Sequence, residues 1–118
     1  MSLRERLFGR KSKMHSTRVA MCGLDAAGKT TITNYLRLGT NTQTIPTLGV
    51  NFETIRYRNF ELNIWDLGGQ LSFRSFWERF IKEAEIVCYV IDLSDHDRLT
   101  ESAQEFRKVV ELYAKPDS

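Results

Sequence analysis

The sequence GLDAAGKT, which runs from Gly23 to Thr30, decides the fold of this chain of 118 residues. It matches the pattern G-x-x-x-x-G-K-[ST], whose glycines let the backbone turn tightly and approach phosphate groups without a Cβ clash. The amides of residues 25–30 would form an anion-binding nest at the start of a helix, whose dipole adds positive potential. The predicted nucleotide-binding residues here are Asp25, Ala26, Ala27, Gly28, Lys29 and Thr30. We expect Lys29 to reach the β- and γ-phosphates and the Thr30 hydroxyl to ligate Mg²⁺.

The residues on either side of this motif fit the same interpretation. A short apolar run from Thr17 to Cys22 predicts a buried strand, and residues 29–38 predict a helix that ends at Gly39. Strand, glycine-rich loop and helix, in this order, are the setting in which the motif binds phosphate. The chain is therefore predicted to have an α/β fold.

Composition and charge are those of a single soluble domain with a distinct N-terminal arm. The net charge is +2, but residues 1–18 hold six basic side chains against one acidic one, which leaves −3 for the rest. We expect a basic arm at residues 1–16, a mildly acidic domain at residues 17–118 and no nucleic-acid-binding face. Cys22 and Cys88 lie in apolar runs, which favours two buried free thiols in a reducing cytosol over a disulfide.

A second motif, WDLGGQ, follows a segment with strand periodicity that begins at Phe60. Asp66 would lie at the carboxyl end of that strand, where ligands bind in open parallel sheets, and its carboxylate suits Mg²⁺. Gly69 can offer a backbone N–H to a γ-phosphate. Gln70 has both a donor and an acceptor, so it can orient a water molecule for in-line attack and is the predicted catalytic residue.

A third motif, PTLGVNFE, begins at Pro46 after a polar stretch, residues 39–44, that we expect to be a mobile loop. Thr47 can supply a second hydroxyl to Mg²⁺ when a γ-phosphate closes this loop. The predicted metal ligands are thus Thr30, Thr47 and Asp66.

Together, GLDAAGKTT, PTLGVNFE and WDLGGQ resemble the Arf and Arf-like branch of the small GTPases, at nearly that family's spacing. The resemblance extends from about Leu7 to Glu111 and includes Arg74, Trp77, Arg79, Val90-Ile91-Asp92 and Asp97-Arg98. It implies a P-loop NTPase fold with a doubly wound, mostly parallel sheet, of which about four strands are present. It also implies a molecular switch in membrane trafficking that binds GTP or GDP with Mg²⁺ and hydrolyses GTP slowly. Thr31 would lie near the α-phosphate.

The resemblance implies several kinds of partner. An exchange factor and a GTPase-activating protein are expected, the latter because residues 39–49 contain no arginine that could stabilise the transition state. Effectors would contact Val50, Trp65 and Phe80, although Val50 replaces the family's usual phenylalanine. Trp65 lies on an otherwise polar strand face, so it is either a binding anchor or a residue covered by another segment, such as the N-terminal arm.

The N-terminal arm has apolar residues at helical spacing, namely Leu3, Leu7 and Phe8, opposite basic ones. In Arf proteins the equivalent helix binds membrane, which predicts weak peripheral membrane contact by an otherwise cytoplasmic chain. Ser2 takes the place of the glycine that myristoylation requires. A solvated arm folded on the domain is the alternative.

The guanine-selecting N-K-x-D motif of GTPases does not occur in the sequence, and a predicted helix from Arg98 to Ala114 leads to its last residues. We expect a truncated domain with four strands in the order 2-3-1-4. The run from Ile86 to Ile91 then forms an edge, which invites self-association. A non-catalytic fragment that binds nucleotide weakly is the alternative to a GTPase, and an ATP-using enzyme is a third.

Overall fold

One sheet organises the part of the chain that the computed structural model describes, residues 15–29, 31–32 and 42–114. Its strands are β1 (His15–Gly23), β2 (Thr42–Ile45), β3 (Val50–Tyr57), β4 (Phe60–Leu67) and β5 (Ile86–Val90). Helix α1 (Trp77–Glu83) lies between β4 and β5, and helix α2 (Leu99–Ala114) follows β5. Each begins after a 3-10 turn, at Leu71–Phe76 and His96–Arg98. Residues 29, 31 and 32 are helical as well. The arm residues Leu3, Leu7 and Phe8, the metal-ligand candidate Thr30, and the rest of the helix predicted to end at Gly39 lie outside the described residues.

The strand order is β2-β3-β4-β1-β5, which contains the predicted order of four strands as β3-β4-β1-β5. β1 is parallel to β4 and to β5, so that Val19 lies opposite both Ile64 and Ile86. β3 is antiparallel to both of its neighbours. The sheet is therefore mixed rather than mostly parallel, and it has five strands where about four were expected.

β2 is the strand that sequence analysis missed, because residues 39–44 are polar and were expected to form a mobile loop. Thr42–Ile45 instead pairs antiparallel with β3, and Thr44 Oγ1 donates a hydrogen bond to Asn51 Oδ1 at 2.6 Å. Threonine and isoleucine are β-branched and favour extended backbone on a half-exposed sheet surface. Polar composition at this edge thus reflects solvent exposure and not the absence of a strand.

Helices α1 and α2 pack on one face of the sheet and form the larger core with it. The buried side chains of this core are Ala20, Cys22, Val50, Leu67, Trp77, Phe80, Ile81, Ala84 and Val109. A smaller cluster on the opposite face consists of Val19, Met21, Ile55 and Ile64. Neither of the two described helices is long and apolar enough to cross a membrane.

β5 lies at the edge of the sheet, as predicted. Ile86 is 47% exposed, and Cys88 is exposed rather than buried as the sequence led us to expect. Ile86 and Cys88 lie opposite Val19 and Met21, on the sheet face away from α1 and α2, and the outer side of β5 has no neighbour among the described strands. Cys22, in contrast, is buried, and burial raises the pKa of its thiol to about 12. Both cysteines are free thiols.

Candidate functional site

The phosphate-loop motif joins the carboxyl end of β1 to the helical segment at Lys29. The N–H of Ala27 donates to Leu24 O at 3.2 Å, and the N–H of Ile32 donates to Gly28 O at 3.1 Å, so a tight turn leads directly into helical hydrogen bonding. Gly28 has a φ of +105°, and a Cβ built there would meet no atom within 4 Å. Gly28 therefore faces open space of the kind that a phosphate cradle requires.

The first glycine of the motif has a role in the sheet that the sequence did not predict. A Cβ on Gly23 would lie 2.4 Å from Val90 O, and its φ is +150°. Only glycine lets β1 and β5 approach each other at this point, so Gly23 serves the sheet as well as the loop. Ala26 has a φ of +62°, a conformation that costs free energy in a residue with a side chain.

The Lys29 ammonium and the Asp66 carboxylate form a buried pair at the mouth of the loop. They meet because β1 and β4 are parallel neighbours, which brings their carboxyl ends to the same edge of the sheet. Lys29 Nζ lies 3.7 Å from Asp66 Oδ1, and the two residues are only 8% and 5% exposed. Burial raises the pKa of the Asp66 carboxyl, and nearby Glu53 adds to this rise, while Lys29 opposes it. A cation bound here would favour the ionised carboxylate.

The segment that follows β4 rests directly on the phosphate loop. A Cβ built on Gly69 would lie 2.3 Å from both Asp25 N and Gly23 O, so no side chain fits between the two backbones. Gly68 N donates to Gly49 O at 2.7 Å, which also ties this segment to the turn at residues 46–49. Gln70 follows Gly69 and is exposed. The segment around Gly69 is therefore in contact with both the loop and this turn.

Two arginines that the sequence analysis did not assign to the site contact the phosphate loop. Arg98 Nη2 lies 2.7 Å from Asp25 Oδ1, and Arg74 Nη2 lies 3.8 Å from the same oxygen. The hydrogen bond from Arg98 is the main reason why the pKa of Asp25 is below its ordinary value of 3.8. Both arginines belong to the family resemblance, but their distance from Asp25 in sequence hides the contact.

Two of the predicted site threonines are exposed in the described part of the chain. Thr47 lies in the turn at residues 46–49, and Thr31 lies on the helical segment after Lys29. These two threonines are therefore accessible to solvent, whereas the Lys29–Asp66 pair is buried. No group of three or more His, Cys, Asp or Glu side chains converges on a metal position within the described ranges.

Comparison with known proteins agrees with these features. A family model described as the ADP-ribosylation factor (Arf) family matches residues 3–115. The chain belongs to the Arf family. This Arf-family chain is also similar to the solved structure of the Arl6 BBS3 small GTPase from Trypanosoma brucei with the bound nucleotide analogue GppNp. The identity is 34% and the TM-score 0.69, and the match covers 81% of this chain and 55% of that one. The Arf-family chain thus spans just over half the length of that protein.

The comparisons confirm the family and the partial α/β P-loop fold that the sequence predicted. GTPase activity, regulators and effectors are expected of the family and stay predictions for this chain, which spans 55% of the Arl6 structure. The trafficking role, the rate of hydrolysis and the individual site residues stay predictions.

The residues predicted to contact effectors differ in how far they reach the surface of the Arf-family chain. Val50 is 1% exposed and belongs to the core, and Phe80 is 8% exposed. Trp65 is half-buried, with its ring centroid 5.5 Å from that of Phe80. α1 therefore covers part of Trp65.

Phe52, and not Val50, is the residue on this face of β3 that reaches the surface. It lies opposite Trp65 on the paired strand, and its ring centroid is 6.1 Å from that of Phe80. Phe52 and Trp65 line an open groove of about 380 Å³ together with Arg18, Asn63 and neighbouring residues. Successive side chains of a strand point to opposite faces, so Phe52 shares a face with Val50. This alternation could have revealed Phe52 from the sequence.

Proposed function

We propose that this Arf-family chain is a GTP/GDP switch that hydrolyses GTP slowly with Mg²⁺. The observation that carries the proposal is the contact between Gly69 and the phosphate loop, beside the buried pair of Lys29 and Asp66. A terminal phosphate that enters the loop meets the segment around Gly69, so the presence of this phosphate changes how that segment is held. Hydrolysis then releases the segment, and a partner distinguishes the two states.

Each proposed site residue has a chemical role in this scheme. Lys29 and the amides of residues 25–30 neutralise and bind the phosphates, and Thr31 contacts the α-phosphate. The Gly69 N–H binds the γ-phosphate, and Gln70 orients the attacking water, since its amide can donate and accept.

The donor chemistry of this end of the sheet fits Mg²⁺. Mg²⁺ is commonly held by one or two carboxylates together with phosphates and water, so the buried Asp66 carboxylate suffices. Thr30 and Thr47 would complete its ligands from the protein. When bound, Mg²⁺ supplies positive charge that offsets the charge of the phosphates.

Regulation by other proteins follows from the chain's arginines. None occurs in residues 39–49, and Arg74 and Arg98 are engaged by carboxylates. An arginine supplied in trans typically raises the rate by about 10³ to 10⁵. We therefore propose slow intrinsic hydrolysis, a GTPase-activating protein and an exchange factor, with effectors bound around Trp65 and Phe80.

A role in vesicle trafficking completes the proposal. The chain is cytoplasmic and makes weak peripheral contact with an intracellular membrane through Leu3, Leu7 and Phe8, which lie outside the described residues. Basic residues of the arm contribute about 1 kcal/mol each near anionic lipid. We also propose that residues 17–118 form the GTPase domain and residues 1–16 the arm.

Release and chromatography of the nucleotide that co-purifies with the chain test this proposal. GDP or GTP near one per chain, lost in Lys29→Gln and kept in the exposed control Arg107→Gln, supports the guanine switch. Adenine nucleotide in its place would favour an ATP-using enzyme. A chain that is empty and does not bind added Mg²⁺-GTP would favour the alternative, a non-catalytic interaction module.

A further inference from the structure

Arg74 connects the segment at Gly69 to helix α2. Its side chain is 7% exposed, although arginine is rarely buried without a partner. Nε donates to the carbonyl oxygen of Gly69 at 2.9 Å. On the other side of the guanidinium, Nη1 donates to Glu101 Oε2 at 2.7 Å and to Glu105 Oε2 at 3.3 Å. One planar group therefore joins a backbone carbonyl next to Gln70 to two carboxylates one helical turn apart.

The 3-10 turn before the same helix holds the phosphate loop. Arg98, immediately before α2, donates to the main-chain oxygen of Asp25 at 3.1 Å and to its carboxylate at 2.7 Å. Arg98 Nε also lies 3.5 Å from Glu101 Oε1. Glu101 is thus shared by an arginine that holds the loop and by an arginine that holds Gly69. The beginning of α2 fixes the two halves of the site relative to each other.

We infer that Arg74 is a positioning residue for the GTP hydrolysis proposed above, and that it acts through the carbonyl of Gly69. A fixed Gly69 carbonyl holds the plane of the peptide bond between Gly69 and Gln70. This plane sets the position of the Gln70 backbone, from which the side chain extends. Glu101 and Glu105 hold the guanidinium in the orientation that this requires. Arg74 touches neither water nor phosphate in this scheme, so it is not itself catalytic.

The geometry requires arginine and not merely a positive charge. A guanidinium presents donors in a fixed planar fork, so Nε and Nη1 can serve Gly69 and the two glutamates at once. A lysine ammonium is a single point and has no equivalent fork. Arg74→Lys keeps the charge beside Glu101 and Glu105 but loses this arrangement, whereas Arg74→Gln loses both.

Single-turnover hydrolysis of bound GTP tests the inference with Arg74→Lys, Arg74→Gln and the double variant Glu101→Gln/Glu105→Gln. We expect each to slow hydrolysis roughly 10- to 100-fold, since misplacement by about 1 Å can cost about 100-fold. For Arg74→Lys, which keeps the positive charge, Glu101 and Arg98, GTP affinity should change by less than about threefold, which is under half of one decade in the dissociation constant. The exposed variants Arg107→Gln and Glu111→Gln on the same helix are matched controls. Full activity in Arg74→Lys would show that charge alone suffices and would overturn the inference.

Amide hydrogen exchange gives a second readout that does not need activity. Gly68 N donates to Gly49 O, and Phe73 N donates to Gln70 O at 2.9 Å, so these two amides flank the peptide held by Arg74. We expect both to exchange at least about tenfold faster in Glu101→Gln/Glu105→Gln than in Glu111→Gln, at equal overall stability. Equal exchange would overturn the inference. If the unmodified chain does not hydrolyse GTP but exchange responds, the proposed function fails while the positioning of Gly69 by Arg74 stands.

Discussion

The Asp66 carboxyl couples the candidate site to the stability of the chain. It is buried beside Lys29, and the loss of hydration upon burial makes its charged form unfavourable in the folded state. Its pKa is therefore higher in the folded chain than the ordinary value of 3.8, despite the attraction of the ammonium. The burial of a carboxylate whose charged form is unfavourable indicates a function for it, and the function proposed here is cation binding.

The raised pKa of Asp66 predicts a specific dependence of stability on pH. The folded state binds this proton more tightly than the unfolded state, so the contribution is most favourable below 3.8. It is lost as pH rises through the raised pKa of the folded chain. We expect the free energy of unfolding, measured with urea, to fall over this window relative to that of Asp66→Asn. The exposed variant Asp97→Asn is the control, and a parallel pH profile for Asp66→Asn would contradict the prediction.

Some residues of the site could be predicted from sequence because a motif fixes their local geometry. The loop at residues 23–29 and the position of Asp66 after a strand are of this kind. The contacts of Arg74 and Arg98 with Asp25 could not be predicted in this way. They depend on how the two 3-10 turns that carry these arginines approach the loop, and no periodicity within one element encodes that.

At the scale of elements, the aromatic cluster between the sheet and α1 shows that two residues on one face of a strand can differ in burial. Val50 lies in the core, while Phe52, two residues further along the same face of β3, contacts Phe80 and lines the surface groove. Size and position are thus matched, with a smaller side chain in the enclosed place and a larger one at the edge. The sequence predicted β3 and β4 well but not this division, because both positions share one face.

Restoring the family's usual phenylalanine at position 50 should therefore destabilise this chain. Val50 is 1% exposed and surrounded by core residues, so Val50→Phe adds volume where none is free. We expect the free energy of unfolding to fall by about 1–3 kcal/mol, the usual cost of overpacking. Phe52→Leu, at the partly exposed neighbouring place, should cost less. Urea denaturation measures both, and an unchanged stability for Val50→Phe would mean that the core around β3 can expand.

At the scale of the whole molecule, apolar surface is concentrated beside β5. Ile86 and Cys88 are exposed on this strand, and Phe106, Val110 and Tyr113 form an exposed stripe at helical spacing along α2. Tyr89, which contacts Phe106 at 5.3 Å between ring centroids, connects the strand to the helix. An edge of this kind leaves backbone donors and acceptors available for pairing with another strand.

We predict that the chain self-associates through β5, with two copies pairing antiparallel about Cys88. This residue is the centre of the five-residue strand Ile86–Val90, so a two-fold arrangement places Cys88 opposite its own copy. Cβ atoms of such opposed residues lie about 4.5–5.5 Å apart, close to the reach of a disulfide. Mild oxidation should therefore cross-link Cys88 and leave the buried Cys22 unmodified.

A lysine at the edge tests whether β5 is the contact. In analytical ultracentrifugation, Ile86→Lys should weaken self-association at least about tenfold, because a charge on an edge strand opposes pairing. Ile45→Lys is the matched control, since Ile45 is also an exposed isoleucine but lies on β2, the opposite edge of the sheet. If both variants weaken association equally, the contact is not specific to β5. If the unmodified chain is monomeric at every concentration, the apolar surface beside β5 is not sufficient to drive pairing, and the prediction is wrong.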